Sequence, residues 1–271
     1  MSITLNPPRI IRLFDLDVHA ETLEETASRC IALAQAQAHR SRRRPALIFS
    51  MNPEKAVQSI GDPAVRQLLQ EATLLIPDGV GICLASRLLA GERMHRVPGS
   101  DLMPRLCALA EQAGLSVYLY GASPSSNTAA VENIKKRWPK LQIAGASDGF
   151  RPPGTAAGDG DGDTCTVAAD IASVKPDIVF VGLGSPRQER WMAEVGVALP
   201  VGLMQGVGGT IDVMSGQVAR APSGWQALGL EWLYRLLQNP SRWRRQLALI
   251  GFLGLVIRRW LHNSLPMKQA S

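Results

Sequence analysis

The sequence predicts an α/β fold: a mainly parallel sheet with helices on both faces, followed by a C-terminal helical appendage. Short apolar runs alternate with longer amphipathic stretches from about residue 45 to 208, at the spacing of βαβ units. The runs are continuously apolar rather than alternating, as in strands buried on both faces. After about residue 220 the alternation gives way to helical pattern. The chain thus divides into a core, 1–219, and a basic, tryptophan-rich appendage, 220–271.

The strand candidates are PALIFS (45–50), ATLLIP (72–77), SVYLYG (116–121), LQIAGAS (141–147), DIVFVGLG (177–184) and VGLMQGVG (201–208). Helical patterns lie near 53–70, 79–90, 101–114, 125–138, 165–174 and 186–198. The segment RPPGTAAGDGDGDT (151–164) has no periodicity and reads as an irregular loop. Its DGDGD resembles a calcium-binding triplet, but Thr164 stands where such a loop needs glycine. A solvated loop is the better reading, and no metal site is expected. Cys30, Cys83, Cys107 and Cys165 are widely spaced in or beside apolar runs, which predicts buried, reduced thiols rather than zinc or disulfides.

The appendage reads as helices broken at Asn239-Pro240. It holds Trp225, Trp232, Trp243 and Trp260, four of the six tryptophans. From Arg220 to Asn263 seven arginines face one acid, Glu231, so an anionic partner is expected. Arg242 and Arg245 share a helical face, Arg235 precedes the break, and forked guanidiniums suit a pyrophosphate. The run LALIGFLGLVI (247–257) is only about 16 Å long as a helix, too short to cross a bilayer. Tryptophan beside arginine suits a membrane surface, whereas so apolar a run argues against nucleic acid. The N-terminus shows no secretory pattern, so a peripheral place on the cytoplasmic face of the membrane is expected.

Ligands of open α/β sheets bind beyond the carboxyl ends of the strands. The turns there are SMNPE (50–54), PDGVG (77–81), GASPSSN (121–127), GLGSPRQE (182–189) and GVGGTID (206–212). All are rich in Gly, Pro, Ser or Asn, which suggests a phosphate- or sugar-sized ligand. Glycine lets backbone N–H groups approach a phosphate, and this nominates Gly121, Ser123, Gly184, Gly206, Gly208 and Gly209. No G-K-[ST] occurs, nor a clean G-x-G-x-x-G with its distal acid, so a nicotinamide enzyme is weakly supported. Asp78 follows Pro77 at a strand end, where two roles are open. It can cap the next helix, or act as a general base in a partly apolar cleft.

The set S-x-N-x-E, PDGVGI, RVPGSDL, YGASPSSN, GLGSPRQE, GVGGTIDVMSGQVARAP and GLEWLYRLLQNPSRWRRQ resembles the WecG/TagA/CpsF family of bacterial glycosyltransferases (glycosyltransferase family 26), from about residue 10 to 250. The resemblance implies a Rossmann-like core and a helical appendage that closes over the site at the membrane. It implies an inverting, metal-independent transferase without cofactor, moving a sugar from a UDP-sugar onto a sugar-diphosphate-polyprenol of a surface polysaccharide or teichoic-acid linkage. Donors in such a family are N-acetylmannosamine, its uronic acid or glucose. By the same resemblance Asp78 matches the base, and Ser50, Asn52, Arg96 and Gln188 match substrate-binding positions. Arg235, Arg242 and Arg245 match the arginines for the lipid diphosphate, and the glycine turns would take UDP. Ser50 departs from the family's threonine but keeps its hydroxyl. Homo-oligomerisation is left open. The competing class is a non-catalytic Rossmann-like membrane- or nucleic-acid-binding protein whose basic tail is the working part.

Overall fold

The computed structural model describes residues 6–38, 44–149, 161–222, 224–225, 229–238 and 243–264, without the side chains of 161–165, 235, 244–247 and 263–264. The described chain opens with a hairpin, β1 (Ile10–Leu13) and β2 (Leu16–His19), and helix α1 (Leu23–Ala38). The core continues through β3 (Ala46–Met51), α2 (Pro53–Gly61), α3 (Pro63–Gln70), β4 (Leu74–Pro77), α4 (Val80–Leu89) and α5 (Gly99–Ala113). Then come β5 (Ser116–Gly121), α6 (Pro124–Arg137), β6 (Gln142–Ser147), α7 (Asp161–Val174), β7 (Ile178–Gly182), α8 (Arg187–Glu194), β8 (Leu203–Gly206) and α9 (Thr210–Met214). Two further helices, α10 (Glu231–Gln238) and α11 (Trp243–Ser264), follow.

All six expected strands form one parallel sheet in the order β4-β3-β8-β7-β5-β6. Neighbouring residues of one strand feed different cores. Leu47, Phe49 and Met51 pack with α2, α8 and α11, whereas Ile48 packs with α1, α5 and α6. Both faces are therefore covered, which is why the strands are apolar throughout. Since the pairing is parallel, the carboxyl ends of all six strands lie on one edge.

Four differences from the sequence pattern have local causes. The hairpin and α1 precede the first expected strand. The two-residue hairpin turn holds Phe14 and Asp15 at φ 53° and 64°, the left-handed values that match strand twist. At the start of α1, Thr22 and Glu25 form a reciprocal capping box, with Glu25 accepting from Thr22 N–H at 2.8 Å. The helical pattern 53–70 splits into α2 and α3. Asp62, held extended by the following Pro63, ends the first and caps the second through Ala64 N–H. The expected loop 151–164 gives way to helix at Asp161, and its earlier residues lie outside the described chain. Cys30 and Cys107 are buried free thiols and Cys83 is only half-buried; the Cys165 side chain lies outside the description.

The long helix α11 lies across α2 and α4. Phe252 and Val256 join the core, with the Phe252 ring edge-on to Phe14 at 5.6 Å. Arg259 donates to the Asp15 carboxylate at 2.8 Å, so the strained hairpin tip is what receives the C-terminal helix.

Candidate active site

Four of the five ligand-type turns, those after β3, β4, β7 and β8, open onto one cleft of ≈ 450 Å³ at the carboxyl edge of the sheet. Its other walls come from Arg96 to Ser100, from α10 and from α11. It brings together Ser50, Asn52, Asp78, Arg96, Gln188, Gly184, Gly206, Gly208 and Gly209.

Asp78 is placed by backbone bonds. Its N–H donates to Met51 C=O at 2.7 Å, continuing the β3–β4 pairing one residue past the strand. The capping position of α4 is held by Gly79, at φ 94°, so Asp78 stands one residue before the cap. Arg96 is drawn to the same strand end, because Val97 N–H donates to Pro77 C=O at 2.8 Å. Both charges reach Cys83 in α4. Burial raises that thiol's pKa, the Arg96 guanidinium pulls it down, and the Asp78 carboxylate pushes it up. Arg96 also pairs with Glu231, the first residue of α10, at 3.6 Å.

Beneath the cleft runs a buried polar chain. Lys55 Nζ donates to Ser50 C=O at 2.8 Å and to Glu189 Oε1 at 2.6 Å. Gln188 donates to the same Glu189 oxygen at 2.9 Å and accepts from Gly208 N–H at 2.9 Å. Burial alone would raise the Glu189 pKa; the Lys55 ammonium and the Gln188 amide outweigh it and hold the carboxyl below its ordinary range. A Cβ at Gly206 would sit 2.8 Å from Gln188 Nε2, so only glycine lets that amide lie against the strand. This chain ties the turn after β3 to those after β7 and β8. Gly208 N–H, a candidate for phosphate, is thereby committed to Gln188.

Asn52 caps α2 by accepting from Lys55 N–H at 2.9 Å, which leaves its amide NH₂ for a ligand. Gly121 and Ser123 lie outside the cleft lining. At Gly121 a Cβ would come within 2.4 Å of Gly182 C=O, and Ser123 caps α6 through Ser126 N–H. Both positions have structural work where β5 ends. The side chains of Arg235 and Arg245, and all of Arg242, lie outside the described residues.

The sequence pattern did not single out Lys55, Glu189, Gln205 or Phe252. Lys55 and Glu189 are 134 residues apart, and only the sheet order makes them partners. Gln205, fully buried on β8, finds no partner for either amide atom among the described residues. A Cβ on the cleft residue Gly99 would lie 3.9 Å from its Nε2 and 4.0 Å from Ser50 Oγ. Phe252 forms part of the cleft wall from α11. Among the described residues no His, Cys, Asp and Glu side chains converge in a metal-binding group of three. Among them, too, no helix is long and apolar enough to cross a membrane.

A doubly covered parallel sheet with an acid, an arginine and glycine turns at one carboxyl-edge cleft defines a Rossmann-like α/β protein built to hold a polar ligand. Comparison with known proteins narrows this. The chain matches the model of the glycosyl transferase WecG/TagA/CpsF family over residues 11–265, and it belongs to that family. It is similar to the N-acetylglucosaminyldiphosphoundecaprenol N-acetyl-beta-D-mannosaminyltransferase of Bacillus spizizenii, 36% identical over 221 residues, 82% of each chain. It is also similar to the protein of that name from Bacillus subtilis strain 168, 37% identical over 213 residues, 79% of each.

Proposed function

We propose that the protein moves a hexosyl group, N-acetylmannosaminyl foremost, from a UDP-sugar onto a sugar-diphosphate-polyprenol, with inversion and without a metal ion. The observation that carries the reading is Asp78, fixed at a strand end beside Arg96 in a cleft that Leu249 and Phe252 of α11 wall with apolar side chains. Asp78 takes the proton of an acceptor-sugar hydroxyl as that oxygen bonds to C1 of the donor. The bond from C1 to the diphosphate oxygen breaks on the opposite face, and UDP leaves. Negative charge grows on the departing diphosphate, where Arg96 and backbone N–H groups of the glycine turns meet it. Asn52 and Gln188 orient sugar hydroxyls. The β-product in the relatives' names supports inversion, since UDP-hexosamines are α-linked. Arg235, Arg242 and Arg245 are assigned to the lipid diphosphate on the family pattern.

The same reading puts the protein on the cytoplasmic face of the membrane. Among the described residues, eleven of fourteen exposed large apolar side chains sit on α4, α10 and α11, around the cleft. Such a concentration on one side marks a contact surface.

The test is incubation with a synthetic N-acetylglucosaminyl-diphosphate-lipid and UDP-linked N-acetylmannosamine, its uronic acid or glucose, with and without EDTA. A β-linked disaccharide-lipid from one donor, undiminished by chelator, is expected. No transfer from any of the three, together with salt-sensitive DNA binding, would return the protein to the binding-module class.

A further inference from the structure

We infer that the seam between α2 and α11 holds the hydrocarbon chain of the acceptor, an isoprenoid joined to the diphosphate in the cleft; this rests on the transferase reading above. The seam starts at the cleft itself. There Phe252 covers Gly81, whose Cβ would lie 3.3 Å from the ring, and Pro53 opens α2. One turn on, Gly251 lies against Val57, and beyond it the seam widens into a groove of ≈ 660 Å³. Ile60, Gly254, Leu255, Ile257 and Leu261 line this groove, with Arg258, Arg259 and His262 bordering it. From Phe252 in the cleft wall to Leu261 at the far end of the groove the helix advances about 14 Å.

Gly254 is the telling residue. A glycine inside a helix weakens it relative to alanine. Among the described residues a Cβ at Gly254 would meet nothing within 4 Å, so no described neighbour requires the glycine. At Gly251 a Cβ would make only ordinary contact, 3.7 Å from Val57. Gly254 is therefore not there for close packing; its missing side chain leaves the groove open. An apolar groove on the same two helices that wall the cleft, α2 and α11, matches a chain attached to a diphosphate held in the cleft. A bilayer would instead meet the outward row of Ile250 and Leu253, 70% and 59% exposed.

The experiment compares kcat/KM for one sugar diphosphate carried on a farnesyl chain and on a hexyl chain, both kept below their aggregation limits. The native protein should prefer farnesyl by at least about tenfold, a ratio that burying two of its extra carbons would already supply. Gly254→Leu fills the groove and should bring that ratio near one. Gly254→Ala leaves the groove open, firms the helix and should keep the preference, with thermal melts confirming that both variants fold. An unchanged ratio in Gly254→Leu overturns the inference, also where vesicle binding falls, for the groove is then a bilayer contact. If the native protein uses neither acceptor, the transferase reading fails on its own. Calorimetry with farnesyl diphosphate against inorganic diphosphate then tests the groove directly. Equal affinities overturn it; tighter farnesyl binding that Gly254→Leu abolishes supports it.

Discussion

The two walls of the cleft are built by opposite means. On the sheet side, Asp78 and Arg96 hang from backbone hydrogen bonds at strand ends, and a buried Lys55–Glu189 pair pins three turns together. On the helical side, α11 is held by apolar contact at Phe252 and Val256, and by the ion pair Asp15–Arg259, whose partners are 45% and 37% exposed. Half-exposed pairs add little stability. The sheet wall is thus directional and fixed, whereas the helical wall rests on area. The proposed chemistry needs the first kind of support, and the hydrocarbon chain proposed for the acceptor suits the second.

The strongest way to break this contrast is to remove the proposed base. Asp78→Asn is predicted to fold as the native protein does and to lose about 10²–10⁴ in kcat. Turnover near the native value would leave Asp78 a structural role only. Next, Lys55→Met strands the Glu189 carboxylate in the interior and should cost about 3–5 kcal/mol in urea unfolding. A loss under 1 kcal/mol would mean the sheet wall does not depend on the pair. A smaller effect is expected from the helical wall. Ile250→Glu with Leu253→Glu should weaken sedimentation with anionic vesicles by tenfold or more while the melting temperature stays, because both side chains face outward. Unaltered vesicle binding would move the membrane contact elsewhere.

The smallest effect concerns pH. His19 accepts from Leu75 N–H at 3.2 Å, and burial holds its pKa below the ordinary 6.5 against the opposing pull of Glu21 and Asp17. Below pH 6.5 the unfolded chain takes up a proton that the folded imidazole refuses. This contribution is full above that pH and declines as pH falls toward the lowered folded value. His19→Asn, which keeps an acceptor, should flatten the pH dependence of stability in that window. An identical slope in the variant would show that other groups set it.

Much of the site was legible because it follows from chain-local rules. Strand ends announce themselves by Pro77 and by the glycines near 121, 182 and 206, and parallel pairing puts such ends on one edge. The T-x-x-E of Thr22 to Glu25 and the Asp62-Pro63 break are equally local signals, which apolar periodicity alone does not show. Lateral order was different. Nothing within the turn after β5 distinguishes it from the other four, yet its strand lies outside β7, and Gly121 and Ser123 fall beyond the cleft lining.

By itself the sequence determined the element types, the parallel α/β class, the family and the acid at a strand end. Each of these depends on periodicity, turn chemistry or contiguous motif. Tertiary structure alone decided that Lys55 meets Glu189, that Gln188 takes Gly208 N–H, and that α11 walls the cleft and lines a groove at Gly254. Those contacts join residues distant in the chain, and their partners are set by strand order and helix packing rather than by any local preference.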